Sequence, residues 1–215
     1  MKLCDRGYIM DLEKIKNGLN QNQPLFIGEE TAMRFAVLIP LVQVNEEWHV
    51  LFEVRSLTMR KQPGDISFPG GRMDPTDATP VDAAIRETHE ELGVDPSNIR
   101  ILSEMSTFIP NSSFVVYPFV GIIDDHLTYE LNKEEVEKVF TVPVKWLLNH
   151  QPYRHLVPMQ PMPLKDFPYD KIANGDQYQW RAREMEEWFY DFEQYTIWGL
   201  TARILKHFID TLNKE

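Results

Sequence analysis

One segment combines helix boundary signals with a cluster of carboxylates, and it constrains the fold most. Thr79 can cap the amino end of a helix, Pro80 suits the first helical position, and Asp82 stands three residues after the cap. Gly93 stands where a left-handed residue commonly ends a helix. These signals predict a helix over residues 80–92.

Three glutamates lie on one side of this helix, away from the apolar arc that would pack against a core. They are Glu87, Glu90 and Glu91. Like charges three and four residues apart on a helix repel, so their clustering favours the binding of a divalent cation. Arg86 lies beside them, where its guanidinium can hold a carboxylate in one orientation.

Neighbouring glutamates on an exposed helix are also common as a merely solvated surface, which is the simplest alternative. Here, however, Gly70-Gly71 and the two carboxylates of Asp74 and Asp77 precede the capped helix. This combination favours a metal site, and the chemistry that fits it is hydrolysis of a diphosphate.

The stretch from Gly71 to Val94 resembles the signature box of the Nudix hydrolases. The residues that carry the likeness are Gly71, Arg86, Glu87, Glu90, Glu91, Gly93 and Val94. The chain departs from the pattern at Asp77, which replaces a glutamate, and at Thr88, which replaces an apolar residue. One additional residue also separates Asp77 from Arg86, and it falls in the loop before the helix cap.

The resemblance implies an α/β fold, an α/β/α sandwich around a mixed sheet, that hydrolyses a diphosphate with Mg²⁺ or Mn²⁺. The metal ligands it implies are Glu87, Glu90, Glu91 and the carbonyl of Gly71. Arg86 joins the three glutamates as a catalytic residue. The general base stays open between one of those glutamates and Glu135.

A second likeness lies directly upstream, where the spacing resembles the additional motif of the coenzyme A diphosphatase subfamily. Its residues are Arg55, Ser56, Arg60, Gly64, Phe68, Pro69, Gly70 and Gly71. The motif usually begins Leu-Leu-Thr, whereas this chain has Leu51-Phe52-Glu53. The likeness implies coenzyme A or acyl-CoA as substrate and 3',5'-ADP and (acyl-)4'-phosphopantetheine as products.

The residues of this motif suit a ligand that carries several phosphates. Arg55 and Arg60 can each make bidentate phosphate contacts, although an exposed surface charge is the alternative for both. Gly64 would let the backbone approach the ligand. Ser56 and Phe68 are further candidate substrate contacts, with core packing as the favoured interpretation of Phe68.

Two other functions stay open at this stage. A Nudix enzyme of the same mechanism could act on ADP-ribose, a dinucleotide or a nucleoside triphosphate. A non-catalytic Nudix module could sense a nucleotide without cleaving it, and the complete glutamate set speaks against that alternative.

Composition bounds the remaining possibilities. The 215 residues, 43% of them hydrophobic, are enough for one domain, which we expect over 31–215 after an N-terminal helix and lead-in over 1–30. A net charge of -11 argues against a nucleic-acid partner. The lone Cys4, the lack of a leader and the lack of a long apolar run predict a cytoplasmic protein without membrane contact. A homodimer is left open.

The hydrophobic pattern predicts the order of the elements. Strands are expected over 32–42, 48–55, 99–109, 115–123, 139–142 and, weakly, 155–159, and helices over 9–20 and 196–212. The proline-rich stretch 159–175 favours a surface excursion, with a lid as the alternative. The aromatic segment 180–195 favours core or dimer packing over an adenine platform.

Overall fold

The structure, a computed structural model, describes residues 16–17, 26–111, 113–124 and 128–214. Within these residues the main feature is an eight-stranded mixed sheet. Its strands are β1 (Met33–Val44), β2 (Glu47–Arg55), β3 (Ile66–Ser67), β4 (Gly70–Arg72), β5 (Ile99–Glu104), β6 (Phe108–Asn111), β7 (Phe114–Ile123) and β8 (Val136–Pro143).

The central strands of this sheet are β1 and β7, which run parallel, whereas the other pairs are antiparallel. The order along the sheet is β3-β2-β1-β7-β5, and β4, β6 and β8 pair with β1, β7 and β2 respectively. A second, three-stranded antiparallel sheet contains β9 (Tyr153–Met159), β10 (Arg183–Phe192) and β11 (Tyr195–Trp198).

Helices cover both faces of the main sheet. Helix α1 (Pro80–Leu92) packs on the face that includes Leu38 and Leu51. Helix α2 (Val144–Asn149) and helix α3 (Gly199–Leu212) pack on the face that includes Ile39 and Phe52. Because successive residues of a strand point to opposite faces, the continuous apolar runs of β1 and β2 supply both cores. The predicted α/β/α sandwich with a mixed sheet is confirmed.

The predicted strands are present, with two corrections to the element boundaries. The stretch 99–109 forms two strands, β5 and β6, each of which pairs with β7 through a register irregularity. The last helix begins at Gly199 and not at 196, because residues 195–198 pair with β10 as strand β11. The helix predicted over 9–20 lies outside the described residues, except for Lys16 and Asn17, which are helical.

The region after residue 150 agrees with the favoured interpretations. Residues 159–175 are largely exposed, as a surface excursion requires. In β10, Tyr190 is buried in the core and Trp188 and Phe192 pack against that core, which confirms core packing for these aromatic residues. No helix in the described part of the chain is long and apolar enough to span a membrane.

Candidate active site

The helix that carries the glutamates begins and ends at the predicted residues. The Thr79 side chain accepts a hydrogen bond from the Asp82 N–H at 3.4 Å, and the Asp82 carboxylate accepts one from the Thr79 N–H at 2.9 Å. Gly93 adopts a left-handed φ of 69°, and its N–H donates to the His89 carbonyl at 2.8 Å. The capping box and the glycine stop therefore fix which residues face the sheet.

Two glycines let this helix come close to the sheet. Gly70 and Gly71 lie in β4, and the Gly70 N–H donates to Glu91 Oε2 at 2.8 Å. Gly70 has a φ of 146°, and a Cβ there would collide with the Ala36 carbonyl. A Cβ on Gly71 would overlap the Glu87 carboxylate. The glycine at 70 therefore allows the close approach of β1, and the glycine at 71 leaves room for the Glu87 carboxylate.

The Arg86 guanidinium is the hub of the site. Its Nε and Nη2 donate to the two carboxylate oxygens of Asp77, both at 3.0 Å. Its Nη1 donates to Glu87 Oε1 at 2.9 Å and to Glu90 Oε2 at 3.0 Å. Its Nη2 also donates to the Arg72 carbonyl at 3.1 Å. Arg86 thus joins the loop, β4 and two glutamates, in the orienting position predicted for it.

Asp77 has a role that the sequence did not indicate. The hydrogen bonds from Arg86 hold the pKa of Asp77 below its usual range. In turn, the carboxylates of Asp77 and Glu87 raise the pKa of Arg86. Asp77 Oδ2 also accepts from the Asp74 N–H at 2.7 Å, which closes the loop before the helix. The shorter aspartate still reaches Arg86, although one additional residue separates the two.

The three helix glutamates differ in their exposure to solvent. Glu91 is buried at 4% exposure, the Glu87 side chain is 16% exposed, and the Glu90 side chain is 50% exposed. Burial raises the pKa of Glu87. Burial and then the neighbouring charge of Glu53 raise the pKa of Glu91 well above its usual range. The cluster therefore extends from the sheet to the surface along one side of α1.

Glu53 belongs to this group, although sequence analysis did not select it. It lies on β2 at 1% exposure, and its Oε1 accepts a hydrogen bond from Ser67 Oγ at 2.8 Å. Burial, opposed in part by Ser67 and Arg55, raises the pKa of Glu53 to about 7. The signal that could have revealed it is a glutamate in the interior of an apolar strand, where a carboxylate is seldom found without a partner.

Glu135, the predicted candidate for the general base, lies in the same neighbourhood. Its carbonyl accepts a hydrogen bond from the Ser56 N–H at 2.7 Å, which ties the segment before β8 to the end of β2. Its charge contributes to the raised pKa values of Glu53, Glu87 and Glu91. The fold thus brings a fifth carboxylate to the four from β2 and α1.

The donor set fits a hard divalent cation. Every candidate ligand is a carboxylate or carbonyl oxygen, as Mg²⁺ and Mn²⁺ prefer. Glu53 Oε2 is buried and has no hydrogen-bond partner among the described residues. Over those residues, no three His, Cys, Asp or Glu side chains already lie close enough to hold an ion together. Arg86 holds one oxygen each of Glu87 and Glu90, and the Gly70 N–H holds one oxygen of Glu91, so a cation would draw these carboxylates together through their other oxygens.

Three of the predicted substrate residues are exposed or half-buried, and the other two are buried. Arg55 is half-buried at the end of β2, and Arg60 is exposed in the turn that follows. Gly64 has a φ of 77° and donates its N–H to the Arg55 carbonyl at 3.1 Å, which closes this turn. Ser56 is buried, and its hydroxyl is hydrogen-bonded to the Thr58 hydroxyl. Phe68 is also buried.

Phe68 is part of the core, which confirms the favoured interpretation of this residue. It is 3% exposed and stacks on Phe52 with ring centroids 5.1 Å apart. A cavity of about 340 Å³ lies instead beside Gly64, between the turn and the β10–β11 hairpin. Its lining includes Asp65, Lys138, Tyr195 and Trp198. This cavity offers aromatic and charged groups next to the motif.

Comparison with known proteins agrees with this geometry. A family model described as the NUDIX domain matches residues 33–160. The uncharacterized Nudix hydrolase NudL of Enterobacter sp. (strain 638) is 34% identical over 171 residues, which cover 80% of this chain and 78% of that protein. The peroxisomal coenzyme A diphosphatase NUDT7 of Mus musculus is 34% identical over 120 residues, which cover 56% of this chain and 51% of that protein.

A solved structure shows the same fold. The MutT/nudix family protein from Enterococcus faecalis aligns with a TM-score of 0.51 at 16% identity, over 95% of this chain and 70% of that one. The family model covers more than half of the chain, and NudL is similar over most of its length. The chain therefore belongs to the Nudix hydrolases, enzymes that act on diphosphate linkages.

Proposed function

We propose that this protein hydrolyses the diphosphate of coenzyme A or acyl-CoA to 3',5'-ADP and 4'-phosphopantetheine or its acyl form. The observation that carries the proposal is the placement of the Arg55–Gly71 motif. One end of the motif forms the closed turn that exposes Arg60, and the other end supplies the glycines against which Glu87 and Glu91 lie. The similarity to a coenzyme A diphosphatase supports the same substrate class.

The metal would be held by Glu87, Glu90, Glu91 and the Gly71 carbonyl. Mg²⁺ or Mn²⁺ bound there supplies charge neutralisation at the diphosphate and activation of water. Arg86 restricts the orientations of Glu87 and Glu90, which reduces the reorganisation that catalysis requires. A carboxylate, Glu135 or one of the helix glutamates, accepts a proton from the attacking water while the P–O bond to the leaving phosphate breaks.

The cations of the motif would recognise the phosphates. Arg60 is exposed and can reach a ligand that enters beside the turn. Arg55 lies closer to the carboxylates, since its charge lowers the pKa of Glu53. Substituting Arg55 would therefore change the pKa of Glu53 as well as the binding of substrate. Arg60 is consequently the better position at which to test recognition of the ribose 3'-phosphate.

The first experiment is a substrate panel. Coenzyme A, an acyl-CoA, ADP-ribose and NADH are incubated with the protein and Mg²⁺ or Mn²⁺, and the products are resolved by chromatography. We expect 3',5'-ADP from the first two and little product from the others. Preferential cleavage of ADP-ribose or NADH would refute the proposed substrate. No metal-dependent product from any compound, with Glu90→Gln indistinguishable from wild type, would indicate a sensing module.

The second experiment tests Arg60 directly. Arg60→Ala should raise the KM for coenzyme A about tenfold or more, the value of a charged phosphate contact, and should change the KM for 3'-dephospho-coenzyme A much less. Lys61→Ala removes the adjacent exposed cation and is the matched control. Equal effects of Arg60→Ala on both substrates would contradict a contact to the 3'-phosphate.

Several other expectations stay predictions. They are the domain boundary near residue 30, the cytoplasmic location, the homodimer and the lid alternative for residues 159–175.

A further inference from the structure

Glu53 has a geometry that packing does not account for. Leu51 of β2 contributes to the core beneath α1, and two residues further along the strand Glu53 points to the same face. Ser67 holds its Oε1 at 2.8 Å. Its Oε2 is buried and, over the described residues, accepts no hydrogen bond. A buried carboxylate oxygen without a donor is costly, so a strand retains one only when something else compensates it.

The charged groups around Glu53 do not provide this compensation. Glu91 and Glu87 face it from α1, and Glu135 faces it from the segment before β8. Arg55 is the nearby cation, but over the described residues it forms no hydrogen bond or ion pair with Glu53, and its own Nε is buried without a partner. Three neighbouring carboxylates therefore repel the Glu53 charge, and only one guanidinium, whose Nε lacks a partner, attracts it.

We propose that Glu53 is a further ligand of the catalytic divalent cation and donates Oε2 from the sheet, opposite the glutamates of α1. The inference rests on the metal-dependent hydrolysis proposed above, and it adds a ligand from outside the helix motif. A cation at this position would receive oxygens from two different elements of the fold. It would also neutralise the repulsion among carboxylates that burial strengthens.

The Ser67 hydrogen bond gives Glu53 the rigidity that a ligand needs. Ser67 pairs with Glu53 across β2 and β3, so its hydroxyl is held by the sheet itself. Fixing Oε1 fixes the direction in which Oε2 points. A partner of this kind typically changes metal affinity by a factor of about 10 to 100 when removed.

The test measures Mn²⁺ binding in the absence of coenzyme A. Free Mn²⁺ is followed by electron paramagnetic resonance during titration of the wild-type, Glu53→Gln, Glu91→Gln and Glu47→Gln proteins. Glu47 lies on the same strand, is exposed, and is the matched control. We expect the Kd of Glu53→Gln to rise about tenfold or more, as for Glu91→Gln, and that of Glu47→Gln to stay at the wild-type value.

Folding is checked by thermal unfolding in EDTA. Glu53→Gln should melt at or above the wild-type temperature near neutral pH, because it removes a buried charge. Mn²⁺ should then raise its melting temperature less than it raises that of wild type. If Glu53→Gln does not fold, the Kd for Mn²⁺ is measured on Ser67→Ala instead. An unchanged Kd for that variant overturns the proposal.

The other outcomes are equally decisive. An unchanged Kd for a folded Glu53→Gln protein, even with a reduced kcat, overturns ligation by Glu53 while leaving the metal-dependent function intact. Wild-type protein that binds no Mn²⁺ refutes both. Tight Mn²⁺ binding that depends on Glu53, in a protein that does not cleave coenzyme A, supports the ligand and rejects only the substrate.

Discussion

In the metal-free protein, the buried Glu53 carboxyl should lower the free energy of unfolding as the pH rises from about 5 to about 8. Burial raises the pKa of Glu53 from 4.5 to about 7 in the folded state, so the folded protein binds this proton more tightly than the unfolded chain does. Below 4.5 the carboxyl is protonated in both states and incurs no penalty. Above about 7 it is ionised in both states, and the folded state bears the full penalty of a buried charge.

The size of this effect follows from the two pKa values. At about 1.4 kcal/mol for each pH unit between 4.5 and about 7, the penalty reaches about 3 kcal/mol. The pKa of Glu91 is raised in the same direction, in part by Glu53 itself. Because the two carboxylates interact, the proton and the penalty belong to the pair and not to either residue alone.

Another group in the same pH range acts in the opposite direction. Burial lowers the pKa of His49 below 6.5, so the folded protein binds that proton less tightly and gains stability as the pH rises through this region. The wild-type curve therefore contains both effects. The difference between wild type and Glu53→Gln cancels the contribution of His49 and isolates the carboxylate pair.

The assay is urea unfolding in EDTA at several pH values between about 5 and about 8. We expect the variant to gain stability relative to wild type with rising pH, by a few kcal/mol at the upper end. The reasoning is refuted if the difference between the two proteins does not change with pH, or if the wild type becomes the more stable protein at the upper end.

Three further predictions concern the helix and its loop. Arg86→Lys cannot make the bidentate contact to Asp77, so the free energy of unfolding should fall by about 1–2 kcal/mol and the kcat with coenzyme A should fall as well. Unchanged values in urea unfolding and turnover assays would contradict the role of Arg86 in joining the loop to the glutamates. Gly71→Ala places a Cβ on the Glu87 carboxylate, so product formation should fall at least about tenfold in a chromatographic assay. Near-normal turnover would show that the Glu87 side chain can move at little cost in free energy. Thr79→Ala should lower the free energy of unfolding by about 1 kcal/mol without changing kcat, and a loss of turnover in the folded variant would mean that the cap also positions the site.

Local chemistry explains why the helix could be predicted so closely. Thr79, Asp82 and Gly93 act on backbone groups within a few residues of themselves, so a sequence window contains all the relevant partners. The same holds for the neighbours of Arg86 on the helix, Glu87 and Glu90. The strands in the core could be predicted because their apolar runs satisfy burial on both faces of a sheet.

The boundary between β11 and the last helix could not be predicted in this way, because it is set by strand pairing. Residues 196–198 continue the apolar pattern of the last helix, yet they form a strand because β10 offers them a ladder of hydrogen bonds. The nearby Gly199 has a left-handed φ of 64°, which separates strand from helix. Only pairing between the segments makes the extended conformation the lower in free energy.

The sequence by itself determined the family, the capped helix and the set of helix glutamates, because each depends on residue types at short, fixed spacings. Only the tertiary structure decided that Asp77 holds Arg86 and that Glu53 joins Glu91. Glu53 and Glu91 lie on different elements, 38 positions apart in the chain. Their proximity is produced by packing α1 against the sheet, and a pairing of that kind leaves no local signal in the order of the residues.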